Sequence, residues 1–299
     1  ISEFIKKDKK EGRLITIKDI GEWLSLDVLE TDVNEVITTS RNVSYNSSIL
    51  SELDKGQDQV QPLKLTLPGS KSVTNRALIL AALANGQTHL ENLLISDDTL
   101  HMMTALQQLG IKTTRQGPTG LLVTGCSGKL TPSRQITTLY LGNSGTCVRF
   151  LTALISVTLA PDYQVIITGN QDMMRRPIGD LTKVLHEIGA TIQHSQDTNH
   201  NFLPLTITGT KGWDTDKLSI IKVDGSKSSQ YVSALLMAAP FLATGQTQIE
   251  MPVNGVSQGF INLTIIVLES FGAKITAERN SLTQTYQVTT GPLRYNDDV

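Results

Sequence analysis

Pro68-Gly69-Ser70-Lys71-Ser72-Val73-Thr74-Asn75-Arg76 leads into an apolar run, Ala77 to Leu83, and its Gly-Ser-Lys-Ser core returns unchanged as Gly225-Ser226-Lys227-Ser228. Each copy runs on in parallel, through Gly86-Gln87-Thr88 and Gly245-Gln246-Thr247, to a Leu109-Gly110 or Phe271-Gly272 stop. The chain therefore repeats itself, and the repeat decides the fold. After each stop comes a strand, a turn and a second strand ending at another glycine: Leu121-Leu122-Val123 before Gly125, and Tyr286-Gln287-Val288 before Gly291. A middle copy fits between them, with Leu185 and Ile188 before Gly189 and Leu205-Thr206-Ile207 before Gly209. Three units of roughly 80 residues run from about Val60 to Gly291, long enough for a whole supersecondary unit and too long for the usual solenoids.

Within a unit the periodicities are mixed. Asp97 to Leu109 reads as a helix, with Ser96 as N-cap, two acids in the first turn and Met102, Leu106 and Leu109 at helical spacing before Gly110. Ile178, Leu181, Leu185 and Ile188 repeat that stripe after Pro177, which is expected to open the helix, and Ile261, Ile265, Leu268 and Phe271 repeat it again. Short β-branched runs lie between: Val165 to Ile167, Leu218 to Val223, Thr247 to Glu250 and Lys274 to Ala277. The expected fold class is α/β, with helices and short strands around a shared core.

Composition narrows the function. The 299 residues, 39% hydrophobic, allow one large or two modest domains, and a formal net charge of −2 argues against a nucleic-acid or anionic-membrane surface. Cys126 and Cys147 form no CxxC pair and the five histidines show no metal-site spacing, so no metal, no cofactor and no disulfide are expected. No apolar run reaches the length of a membrane span, and a soluble, cytoplasmic protein with a small-molecule partner is expected. The first sixty residues differ in kind. A mixed charge run, Lys6 to Glu11, precedes a polar stretch from Asn42 to Gln61 that reads as a linker, and a chain opening on Ile1 is expected to be a piece of a longer one.

The chemistry-bearing residues gather at expected helix starts. Free N–H groups and the helix dipole favour an anion there, and Lys71, Ser72 and Arg76 add donors to the first copy. The GxxxxGK[ST] spacing of a Walker loop is absent, and the tetrapeptide alone fits an ordinary capped turn as well as a phosphate cradle. Leu141-Gly142-Asn143-Ser144-Gly145-Thr146 leads to Arg149, Arg175-Arg176 precede Pro177, and Ser228-Ser229-Gln230 follow the second copy. Several such loops with basic partners point to a polyanionic ligand, which the planar fork of arginine holds well.

The segments PGSKSVTNRALILAALA, LISDDT, LYLGNSGTCVRFLTAL, RRPIGDL and DGSKSSQYVSALLMAAP together resemble the motifs of the 5-enolpyruvylshikimate-3-phosphate (EPSP) synthase family, in order, from about Leu63 to Gly291. The resemblance implies three tandem βαβαββ units forming one of two domains, the inverted α/β barrel-like enolpyruvyl transferase fold, with the active site between the domains. It implies that Ser72, Arg76, Ser228, Ser229 and Gln230 hold shikimate 3-phosphate. Lys71, Asn143, Gly145, Thr146, Arg149, Arg176 and Gln230 would meet phosphoenolpyruvate, with Lys71 catalytic. A side chain at Gly145 would intrude on the small enolpyruvyl group. The implied reaction is carboxyvinyl transfer to the 5-hydroxyl of shikimate 3-phosphate.

The family's acid/base aspartate and its Lys-Glu-x-Asp-Arg-type motif belong to the second domain and have no match here, and Asp97 and Asp98 read as first-turn acids. The 299-residue chain is accordingly expected not to turn over alone. The implied domain plan is a tail resembling that of a dehydroquinate synthase domain (1–41), a linker (42–61), the three-unit domain (62–291) and the start of the second domain (292–299). That order resembles the pentafunctional arom polypeptide, whose other domains would be partners. Phe260 stands where the family has Tyr or Arg, and Phe150 where many bacterial members have proline. A relative acting on UDP-N-acetylglucosamine and a non-catalytic binding domain remain as alternatives.

Overall fold

The first unit, in a computed structural model that describes residues 68–195, 201–210, 220–242, 245–253, 257–289 and 291–295, places helix α1 (Lys71–Leu83) before strand β1 (Gln87–Leu90). Helix α2 (Asp97–Gln108) and strands β2 (Lys112–Gln116) and β3 (Gly120–Thr124) complete it. β3 lies between β1 and β2, antiparallel to both. All described residues fall in one unit, Leu67–Asp298. The readings made for residues 1–67 lie outside them, as do residues 211–219 and 296–299.

The second and third units repeat the plan and show its opening strand. β4 (Ile136–Tyr140), α3 (Gly145–Thr158), β5 (Gln164–Thr168), a one-turn α4 (Gln171–Met174), α5 (Gly179–Glu187), β6 (Thr191–His194) and β7 (Leu205–Thr208) give the sheet order β4-β5-β7-β6. β8 (Ile220–Lys222), α6 (Ser229–Ala238), β9 (Gln246–Pro252), α7 (Gln258–Ser270), β10 (Ile275–Arg279) and β11 (Thr283–Thr289) give β8-β9-β11-β10. In both, a helix joins two parallel strands and an antiparallel hairpin then inserts its second strand beside them. The βαβαββ order read from the repeats is thus visible whole in two units.

The two helices of a unit have different burdens. α3 buries twelve of its fourteen residues and α6 nine of ten, whereas α2 buries four of twelve and α7 four of thirteen, so the first helix of each unit builds the centre and the second covers it. Inside α3 the hydroxyls of Thr152, Ser156 and Thr158 donate to carbonyls four residues back, which removes the cost of burying them. A buried Leu such as Leu154 contributes about 1.5–3 kcal/mol, and an aspartate there would leave an unpaired charge in the core.

The three glycine stops do what the sequence suggests. Gly110, Gly189 and Gly272 take φ of 94°, 103° and 81°, a left-handed turn that ends α2, α5 and α7. Ser96 caps α2 through a reciprocal box with Thr99. Pro177 differs from expectation: α5 starts at Gly179, because Asn201 accepts the N–H groups of both Ile178 and Gly179 and so sets the helix start past the proline. After β11 the chain returns to this core, where Leu293 is buried and its carbonyl accepts the N–H of Asn85.

Candidate functional site

The two Gly-Ser-Lys-Ser copies start helices in different registers. In the first, Ser70 is the N-cap, so Lys71 and Ser72 occupy the opening turn of α1. In the second, the Asp224 carboxylate accepts the N–H of Ser226 at 2.8 Å, a side-chain turn that delays the helix. Ser228 becomes the N-cap of α6 instead, its hydroxyl accepting from the N–H of Gln230 at 3.2 Å. Lys227 is left just outside the helix, paired with Asp180 at 2.9 Å.

Both copies face one open cleft of about 390 Å³. Lys71, Ser72 and Arg76 of α1 line one side, and Lys227, Ser228, Ser229 and Gln230 line another. Thr146 and Arg149 enter from α3, and Ser257 and Phe260 from the start of α7. Among the described residues four cations and no carboxylate line this space, so its field favours a polyanion. Six of the predicted shikimate 3-phosphate and phosphoenolpyruvate residues on α1 and α6 therefore meet here: Lys71, Ser72, Arg76, Ser228, Ser229 and Gln230.

Arg76 is 2% exposed, yet no carboxylate among the described residues pairs with it. Its Nε donates to Thr264 at 2.8 Å and Nη1 to the Ser72 carbonyl at 3.0 Å. Nη2 reaches Ser233 at 3.2 Å and the Phe260 carbonyl at 3.3 Å, and the guanidinium lies over the Phe150 ring. Burial lowers its pKa to about 10, which keeps it charged at neutral pH. A buried cation held only by neutral oxygens leaves its charge for a ligand.

The α3 loop divides the remaining predicted residues. Ser144 caps α3 by accepting the N–H of Cys147. A Cβ at Gly145 would stand 3.3 Å from Arg149 Nη1 and 3.4 Å from Arg176 Nη1, so glycine leaves the space between two guanidinium groups open. Arg149 donates to Gln230 Oε1 at 2.5 Å, and Gln230 Nε2 donates to Thr146 at 3.2 Å, which fixes the orientation of all three. The Nε of Arg149 is buried and has no acceptor among the described residues. Asn143 instead lines a second cavity of about 550 Å³, together with Asp97, Asp98, His101 and Asn170. Lys71 borders both spaces.

Asp98 is more than a first-turn acid. Its carboxylate accepts from Lys71 Nζ at 2.8 Å. Burial pushes the Asp98 carboxyl upward, but the Lys71 ammonium, the Ser144 hydroxyl and His101 outweigh it and hold the group below the usual carboxylate range. Burial pushes the neighbouring Cys147 thiol up to about 12, and its Sγ donates to the Asp98 carbonyl, so this cysteine is a packed, unreactive group. Sequence reasoning left out Lys227, Ser257 and His101. Ser257 adopts φ of 56° at the start of α7, a backbone state no local pattern announces. Lys227 carried a signal in its duplicated tetrapeptide, but the shifted helix register hid its position.

The family model for EPSP synthase (3-phosphoshikimate 1-carboxyvinyltransferase) matches residues 56–293. The chain is 36% identical to the pentafunctional AROM polypeptide of Schizosaccharomyces pombe, over 97% of this chain and 18% of that protein. It is 42% identical to the 3-phosphoshikimate 1-carboxyvinyltransferase of Pectobacterium carotovorum, over 73% of this chain and 50% of that one. Among solved structures, EPSP synthase from Acinetobacter baumannii superposes with a TM-score of 0.64 at 26% identity, covering 77% of this chain and 48% of that one. The enolpyruvyl transferase NikO from Streptomyces tendae, at TM-score 0.51 and 14% identity, shares the fold. The chain spans about half the length of the single-function relatives it matches.

Proposed function

The chain belongs to the EPSP synthase family, and we propose that it supplies the shikimate 3-phosphate side of a 3-phosphoshikimate 1-carboxyvinyltransferase. In that reaction the 5-hydroxyl of shikimate 3-phosphate gives up its proton and adds to C2 of phosphoenolpyruvate as C3 gains a proton, and phosphate then leaves as C3 loses a proton and the double bond re-forms. The carrying observation is one cleft lined by Lys71, Arg76, Arg149 and Lys227 and, among the described residues, by no carboxylate. Ser72, Arg76, Ser228, Ser229 and Gln230 take shikimate 3-phosphate. Arg149, Thr146, Gly145 and Arg176 take phosphoenolpyruvate, Gln230 reaches it by aligning Arg149, and Asn143, which lines the adjoining cavity, drops out of this set. Lys71, free on its outer side and tied to Asp98, stabilises the charge that moves during addition. Two substrates of high negative charge repel each other, and dense cationic donors offset that repulsion.

Proton transfer at C3 and at the hydroxyl needs carboxylates. Among the described residues the cleft offers none, and Asp98 of the adjoining cavity is held by Lys71. The 299-residue polypeptide therefore binds substrate without turning it over, and its partner is a second half of the fold, with other shikimate-pathway domains on the same polypeptide. No helix of the described residues is long and apolar enough to cross a membrane. Free thiols at Cys126 and Cys147 suit a reducing compartment, and we read the protein as cytoplasmic.

Calorimetric titration tests the reading. Saturable binding of shikimate 3-phosphate, weakened by Ser229→Ala and by Ser72→Ala, with no heat from UDP-N-acetylglucosamine, is expected. A chain that ignores shikimate 3-phosphate overturns the ligand, and steady phosphate release from both substrates overturns the claim of inactivity.

A further inference from the structure

Arg76 lies among three helices that the sequence keeps far apart. Its acceptors Ser233 and Thr264 lie 157 and 188 residues further along, on α6 and α7. Both are fully buried, so neither touches a ligand in the cleft. Thr264 Oγ1 receives the Arg76 Nε proton and stands 2.8 Å from the Phe260 carbonyl and 2.9 Å from Ser233 Oγ, one of which takes its own proton. Four of the five guanidinium N–H bonds are thus directed at neutral oxygens. The fifth, on Nη1, has no acceptor among the described residues, and Arg76 lines the cleft.

Neutral acceptors matter here because a carboxylate at either position would cancel the charge that the cleft presents, while an apolar side chain would leave a buried donor unsatisfied. Hydroxyls do neither. They orient the guanidinium and leave its charge uncompensated.

We infer that Thr264 and Ser233 are positioning residues for ligand binding: they lock Arg76 so that its free N–H and its full charge face the anion in the cleft. The inference rests on the shikimate 3-phosphate reading above and adds to it two buried residues that sequence motifs leave unassigned. It also makes the first unit's cation dependent on two helices of the third.

Thr264→Val keeps the shape and deletes the hydroxyl. In the 299-residue chain, at a temperature where circular dichroism shows each variant folded, it is expected to weaken shikimate 3-phosphate binding about tenfold, with Ser233→Ala showing a smaller loss in the same direction. Thr264→Ser is expected to bind within about twofold of the unmodified chain. Val267→Ala, a buried change on the same helix, lowers the melting temperature without moving affinity, which separates positioning from general loosening. Should Thr264→Val fail to fold, Ser233→Ala carries the test. Wild-type affinity in the folded hydroxyl variants, or an equal loss in Val267→Ala, overturns the inference alone. Absence of binding by the unmodified chain overturns the ligand reading, and this inference with it.

Discussion

The two Gly-Ser-Lys-Ser copies, residues 69–72 and 225–228, are identical in sequence and different in structure. In the first, Lys71 sits in the opening turn of α1 and bridges to Asp98; in the second, Lys227 sits before α6 and bridges to Asp180. The residue in front decides. Pro68 has no N–H and no side-chain acceptor, whereas Asp224 folds over the Ser226 N–H and holds the next two residues out of the helix. Both lysines line the cleft, but the first copy sets Lys71 and Ser72 in the opening turn of α1, while the second leaves Lys227 before α6 and puts Ser228, Ser229 and Gln230 at the helix start. Equal peptides need not share a role when their neighbours set the helix start.

The sharpest way to break this comparison is at the paired glycines. A Cβ on Gly69 would collide with the backbone carbonyl of Asn92, which cannot yield, while a Cβ on Gly225 would meet the Met251 methyl at 3.0 Å, the end of a flexible side chain. Gly69→Ala is expected to cost about 3 kcal/mol and Gly225→Ala under about 1 kcal/mol in urea unfolding. Equal costs would show that the two loops are equivalent after all.

Next come the lysines. Lys71→Met is expected to weaken shikimate 3-phosphate binding about tenfold, and Lys227→Met by less than about threefold, because Lys71 starts α1 and borders both the cleft and the adjoining cavity whereas Lys227 stands before its helix and borders the cleft alone. Calorimetry on the two variants decides, and a reversed order would move the charge that matters to the second copy. The caps come third. Ser228→Ala deletes a bond to the Gln230 N–H and is expected to cost about 1 kcal/mol, whereas the Ser70 side chain caps nothing and Ser70→Ala should leave the melting temperature nearly unchanged.

The smallest effect is in pH. Asp98 titrates lower folded than unfolded, so its contribution is present above its unfolded pKa and fades as pH falls through the folded value. Asp98→Asn is expected to lower stability modestly at neutral pH, where the charged pair contributes, and to leave it unchanged below about pH 4, which flattens the acid limb. An unchanged acid limb would mean that the Lys71 pair adds nothing to folding.

Much of the fold was readable because its signals are local. The Ser96 cap, the helical stripes and the left-handed stops at Gly110, Gly189 and Gly272 depend on neighbours within a turn or two. β2 was harder, since this edge strand buries almost nothing and carries Lys112 and Arg115, leaving no alternation to detect, whereas the equally exposed β10 was legible from its β-branched start, Lys274 to Ala277. The Pro177 expectation missed because Asn201, far along the chain, completes the start of α5. In the site, motifs brought forward the right loops, but no motif showed that Asn143 turns to a separate cavity or that Ser257 enters the cleft.

By itself the sequence determined the repeat, the alternation of helix and strand, and a collection of donors at helix starts. Each follows from periodicity and short-range hydrogen bonding. Tertiary structure alone decided which donors share a space and which cations keep their charge. Lys71 and Lys227 are both neutralised in part by carboxylates from other elements, while Arg76 is buried among neutral oxygens 157 and 188 residues away. Burial and counter-charge depend on what packs nearby in space, and that is settled only when three units close around one core.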